Sequence, residues 1–562
     1  MTPQLTAAAY VALADDLVLA HRDGDPDALA RLVGHDGRAR SQDDVRAEAW
    51  RRVYALRQRS NRGGTRDLLL DEARLWVAQD AGYGSWAALL AAIEDGTPPI
   101  PTHGIDPGSG ALVIRRPPSP ADWDAIVALM REQRITALEA NGAMTEAALA
   151  LMTTLEHVTS LSLGGSRGLS DAGLRLLARM PQLERLNLSE YPGGAWTDDG
   201  LRVLGELPAL RHFEMTWQAG VTDASLASLA ACDRLEHVNV MGTPTGDGLI
   251  AALAGKASLR SLSTGRLVTD AGLVRLHDIP GLASAPSAPD QGARLLIDGP
   301  FSNAGLASLA GLDGVRELDM FWHVSAITTD AFAALGSLPH LEVLGADGHL
   351  SDDVAMGHFA SLPRLRRLRA QGTHATDAGF EALARSRSLE SLWGRECPHL
   401  TGRGFRALGT MATLRGLGVS CKQVDEASLA MLPSFPALAE LTPIDVTDEG
   451  FRHVGRCAGL TRLTCMYCRD TTDAATRYVR ELPLTYYYAG LTQITDRSLE
   501  DLATMPTLEQ VDLYECQRVT DAGVAHLARL PRLAEVNLDG LPGVTLAGTR
   551  VFPSSVRVRY SA

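Results

Sequence analysis

One pattern recurs along most of this chain and constrains its fold more than any other feature. The segments LSDAGLRLLARMPQLERLNL from Leu169, VTDASLASLAACDRLEHVNV from Val221, ATDAGFEALARSRSLESLWG from Ala375 and VTDAGVAHLARLPRLAEVNL from Val519 share one form. It reads h-T-D-x-G-L-x-x-L-x-x-x-P-x-L-x-x-L-x-L, with h hydrophobic. The apolar residue that opens the last part recurs at Val158, Leu183, Leu210, Leu235, Leu259, Val315, Leu341, Leu365, Leu389, Leu414, Leu438, Leu460, Leu508 and Leu533. Neighbours in this series stand about 22–27 residues apart where the pattern is unbroken. At 562 residues the chain is too long for one ordinary core. An array of stacked units has no such limit.

Each half of the repeat has a physical task. In Leu183-Glu-Arg-Leu186-Asn-Leu188, apolar and polar residues alternate, which predicts a short strand with one face inward. In Val268-Thr269-Asp270-Ala271-Gly272-Leu273, Thr269 is placed to cap a helix. Asp270 then lies in the first turn, where the helix dipole favours an anion. Val268 and Leu273 take the positions of a hydrophobic staple, and Pro280 is expected to stop the helix. No such unit buries its apolar face alone, so neighbours must stack.

Period and pattern together resemble a leucine-rich repeat. The resemblance implies an α/β solenoid, with parallel strands on a concave side and helices on a convex side. Cys397, Cys468 and Cys516 each lie three residues after the last inward strand position, and Cys232 and Cys457 fall near helix ends. This resembles the cysteine-containing class of leucine-rich repeats, found in F-box substrate-recognition proteins of ubiquitin ligases and in bacterial relatives. The likeness covers roughly residues 131–562, and it implies buried, structural cysteines. Two stretches break the pattern. GLASAPSAPDQGARLLIDG departs from it, with Leu295 and Ile297 read as a strand behind an insertion near Asp290. In Leu484-Thr-Tyr486-Tyr487-Tyr488, tyrosines stand where a leucine strand is expected. Val556-Arg-Val558-Arg-Tyr560 reads as a last strand covering the open edge.

Ahead of the array, helices are expected over 7–21, 25–33, 42–58, 67–81 and 85–94, with Ser85 as a cap. Gly82-Tyr83-Gly84-Ser85-Trp86 resembles part of a helical module that precedes ankyrin repeats in bacterial proteins. The reading is a helical domain over 1–95, a Pro/Gly-rich linker over 96–110, and a solenoid over 111–562 whose first part, 111–131, closes the core.

The net charge of −14 argues against nucleic acid or an anionic membrane as main partner. There is no secretory signal pattern and no run of about 18 apolar residues, so the expected compartment is the cytoplasm. Phosphate-loop, dinucleotide, zinc-protease and serine-hydrolase motifs are absent, and no cofactor is expected. Cys465-Met-Tyr-Cys468 is a lone CxxC on repeat positions and reads as packing rather than as a zinc or redox site.

The expected activity is binding of a protein or peptide on the concave face, which offers more than about 800 Å². With aromatics at 5%, Trp217, Phe321, Trp322 and Trp393 near that face are candidate anchors; the alternative is that they fold down and complete the core. Glu214, Glu317 and Asp319 against Arg366, Arg367, Arg369 and Arg395 suggest an acidic and a basic half that would orient a charged partner. His212, Glu214 and His237 share the outer face of neighbouring strands about 5 Å apart, the one weak metal candidate. An enzyme acting there, or a self-assembling structural protein, are the other readings.

Overall fold

A computed structural model describes residues 5–36, 41–46, 48–49, 52, 67–96, 99–106, 108–189, 196–285 and 292–560. The expected helix over 42–58 and the insertion near Asp290 lie largely outside these residues. The chain forms two compact units, Met1–Ala283 with Ile297–Pro300, and Ser284–Leu296 with Phe301–Ala562. Both contain the expected repeat, so the fold is an α/β leucine-rich-repeat solenoid: short parallel strands on one face, helical turns on the other.

The first unit begins with helices Ala7–Asp23, Pro26–Asp36, Leu70–Asp80 and Trp86–Asp95. Thr6 and Ser85 cap two of them by accepting amide hydrogen bonds from Ala9 and Ala88. These helices bury a core of their own that includes Leu17, Leu32, Trp76 and Leu89. The Pro/Gly-rich stretch is not plain linker. His103–Ile105 forms a strand antiparallel to Leu112–Ile114, because the alternating residues beyond the prolines complete a sheet edge. The helix Pro120–Glu132 follows. Arg167 Nη1 lies 2.7 Å from Asp44 and ties the helical front to an early repeat.

From there the strands run parallel in constant register. Leu112, Leu138, Leu161, Leu186, Phe213, Val238 and Leu262 line up as one buried column. The second unit continues the plan with Leu318, Leu344, Leu368, Leu392, Leu417, Leu441, Leu463, Tyr487, Val511, Val536 and Val558. The tyrosine stretch is therefore an ordinary strand, Tyr486–Tyr488, and Arg557–Arg559 closes the series as expected. Leu295 and Ile297 lie buried in the strand Ala293–Ile297. Pro280 does not stop its helix: the turn has ended at Asp278, and Pro280 opens a further turn, Pro280–Ala283. Proline suits a first helical position, where no amide donor is needed.

The Thr-Asp-x-Gly motif holds repeats to one another. Thr269 caps its own helix, and its amide and hydroxyl donate to Asp247 of the preceding repeat at 2.9 and 2.5 Å. Thr197 binds Asp171 in this way, as Thr401 binds Asp377 and Thr520 binds Asp496. The motif's glycine lies against the same aspartate. A Cβ on Gly272 would come within 2.1 Å of Asp247 Oδ1, and one on Gly523 within 2.3 Å of Asp496 Oδ1. Where serine replaces that glycine, at Ser498, its hydroxyl donates to Asp473 at 2.6 Å. Burial alone would raise the Asp377 carboxyl; the Thr401 hydroxyl and amide outweigh it and hold it below the ordinary range.

The seven cysteines are free and buried. Burial pushes the Cys468 thiol up to about 12 and Cys465 well above its usual value, so neither is a poised thiolate.

Candidate functional site

The strand face carries the side chains on either side of each buried column. In the first unit one column runs Arg185, His212, His237, and the next Asn187, Glu214, Asn239. Register therefore brings His212, Glu214 and His237 together as expected. The two imidazoles stack with ring centres 6.0 Å apart, and Glu214 Oε1 lies 3.5 Å from His237 Nε2. Among the described residues no three His, Cys, Asp or Glu side chains are grouped to hold a metal ion. Burial, then the charges of Arg185 and His237, hold the His212 imidazole below its ordinary value. The nearby His237 imidazole lowers the Glu214 carboxyl.

The second unit corrects the expected division into an acidic and a basic half. Arg369 Nη2 reaches Asp319 Oδ1 at 2.6 Å and Glu317 Oε1 at 2.7 Å. It does so across the strand between them, where Gly345 presents no side chain. Arg294 joins the same carboxylates, Arg316 binds Glu342, and Arg366 binds Glu390. These acids and bases pair across neighbouring strands and repeats instead of collecting into two separate fields. Arg367 stays exposed and has no ion pair among the described residues.

The four aromatic candidates take different places. Trp217 adopts a left-handed backbone at φ 62° and rests its ring on Gly242, half-buried. Phe321 and Trp322 stack with ring centres 4.8 Å apart, and Trp322 remains 70% exposed. Trp393 lies on the neighbouring strand's Gly418, where a Cβ would come within 2.6 Å of its ring. Its edge continues to Tyr467, 5.7 Å away between ring centres, and Arg395 stands 5.1 Å over that tyrosine. Trp393 and Tyr467 thus meet over a strand that glycines have left bare.

Further along the face is a group absent from the sequence-based candidates. Tyr486 and Tyr488 flank the buried Tyr487 and point outward, half-exposed. Arg462 lies 4.1 Å over the Tyr486 ring. Burial, Asp512 and the neighbouring Tyr486, Tyr514 and Tyr467 raise the Tyr488 phenol far above its usual value. Asp512, held by the Asn537 amide at 3.0 Å, is raised by burial. The signal for these residues was present: alternation about Tyr487 sends both neighbours outward.

No protein-family model matches the chain, and no curated protein matches it. Similar solved structures include a complex of Rad7 and Elc1 from yeast, at 16% identity and TM-score 0.36, covering 78% of this chain and 92% of the matched one. An internalin from Listeria monocytogenes has 16% identity and TM-score 0.33, covering 75% and 95%. The plant peptide hormone receptor RGFR1, in complex with RGF2, has 12% identity and TM-score 0.26, covering 78% and 84%. These scores are low, and the fold assignment rests on the chain's own strands and registers. No helix among the described residues is long and apolar enough to cross a membrane.

Proposed function

We propose that the chain is a protein-binding scaffold whose contact surface is the strand face of the second unit between Trp393 and Tyr514. One observation carries this reading. In a chain with 5% aromatics, Trp393, Tyr467, Tyr486 and Tyr488 stand half-exposed on that face, interleaved with Arg395 and Arg462. Tryptophan, tyrosine and arginine are the residues that carry most binding energy at protein interfaces. Trp322 with Phe321, Arg367, and the Arg369 cluster with Asp319 are secondary candidates on the same unit. Trp217 and Glu214 belong to the first unit.

The cysteine-containing, F-box-protein-like subtype is supported by the burial of Cys397, Cys468 and Cys516. Seven free thiols favour a reducing compartment such as the cytoplasm. Residues 1–95 are read as a separate helical module, joined through 96–110, because they bury their own core. No observation favours catalysis.

The test is affinity capture from native lysate on immobilised wild type and on a Trp393→Ala/Tyr486→Ala/Tyr488→Ala variant. A Trp217→Ala variant serves as comparison. A partner held by wild type and Trp217→Ala, and lost by a triple variant with an unchanged circular dichroism spectrum, supports the reading. Equal capture by all three removes it.

A further inference from the structure

The arginines on the second unit's strand face differ in what they reach; among the described residues Arg367 makes neither an ion pair nor a ring contact and stays exposed. Arg294, Arg316, Arg366 and Arg369 each reach a carboxylate of the chain itself. Arg395 and Arg462 reach none among the described residues; each lies over a tyrosine ring instead. The difference is not for want of an acid nearby. Glu440 is the cross-strand neighbour of Arg462, yet the guanidinium lies on the other side, over Tyr486.

A guanidinium stacked on an aromatic ring keeps its edge donors outward, in the planar fork that matches a carboxylate. Stacking also restricts it in advance, so less freedom is lost when an acceptor arrives. Between the two arginines the floor is low: Gly416 and Gly418 are buried strand residues, and the Trp393 ring lies across the second of them. From the strand of Trp393 to that of Asp512 is five ladder steps, about 24 Å, which about seven residues of extended chain would span.

We propose that this face binds an extended, acidic peptide segment of a protein partner. Aspartate or glutamate side chains fork onto Arg395 and Arg462, and intervening apolar side chains rest on Trp393 and Tyr488. The proposal deepens the scaffold reading above and rests on it. The chain's charge of −14 repels anions overall, so attraction of an acidic peptide must come from a local, built site.

The experiment uses the full chain and a fluorescein-labelled, C-terminally amidated dodecapeptide of four Glu-Leu-Gly triplets, followed by fluorescence anisotropy. Its counterparts carry glutamine or phosphoserine in place of glutamate. The glutamate peptide is expected to bind, to weaken steeply with salt, and to bind more tightly than either counterpart. Arg395→Gln and Arg462→Gln are each expected to weaken it roughly tenfold, the loss of one charged hydrogen-bonding pair. Arg366→Gln, whose partner Glu390 already occupies it, is expected to leave binding unchanged. Equal binding of the glutamate and glutamine peptides, preference for phosphoserine, no binding at all, or equal losses in all three variants would overturn the proposal. If lysate capture still depends on Trp393, Tyr486 and Tyr488 while the peptide fails, only the acidic specificity falls. If capture is also indifferent to them, the scaffold reading falls with it.

Discussion

At the scale of single residues, the Thr-Asp-x-Gly motif shows how a repeat sequence encodes the stacking of its copies. The threonine cap was legible, since hydroxyl, spacing and following hydrophobic run all lie within one segment. The aspartate's second task was not. It binds residues 22 to 26 positions further on, and their proximity exists only once the repeats have stacked. The glycine records that task, because its missing Cβ is the space Asp496 or Asp247 occupies. Gly523→Ala is therefore expected to lower stability by about 1–3 kcal/mol through overpacking. Gly523→Ser should cost less, because serine at the equivalent Ser498 donates to its aspartate. Thermal melts of the two variants decide the order; an alanine variant as stable as the serine one would show that the close approach does not matter.

At the scale of elements, the strand Tyr486–Tyr488 joins core and surface in three residues. Tyr487 fills the column that leucine fills elsewhere, and its hydroxyl lies 3.1 Å from Thr476 Oγ1. Tyr487→Phe should cost about 1 kcal/mol, one buried hydrogen bond. Tyr487→Ala should cost about 3–5 kcal/mol, the price of a large cavity. Similar losses in both, measured by chemical denaturation, would mean the ring is not packed as described. The stretch departs from the leucine consensus yet keeps the period of two, and the period decided the structure. Trp393 was legible as a surface residue but not in its posture, since that depends on Gly418 one repeat away. Gly418→Ala should lift the ring off the strand, seen as greater acrylamide quenching of Trp393 by difference from Trp393→Phe. Unchanged quenching would separate the glycine from the tryptophan's position.

At the scale of the whole molecule, paired charges along the strand face and repeated aspartates along the helix face make stability depend on pH. The repeat and its fold were legible because the same pattern is written many times over in the sequence. The pairing of charges was not, since it depends on which long side chain crosses which bare strand, as Arg369 crosses Gly345. For Asp198, Asp377 and Asp473, burial raises the carboxyl, but threonine and serine donors outweigh it and leave each below the ordinary value of 3.8. The folded state thus holds its protons less tightly than the unfolded one. Stability from these groups is fully present above about pH 5 and is lost as pH falls through 3.8 towards the lowered folded values. Asp347 and Asp512, raised by burial first, act in the opposite sense and soften the loss. An Asp377→Asn/Asp473→Asn variant keeps an acceptor oxygen but not the charge. It should melt at a lower temperature at pH 7 and show a shallower fall in melting temperature between pH 5 and pH 3. A variant whose melting temperature falls as steeply as wild type across that window would place the acid sensitivity elsewhere than in the aspartate ladder.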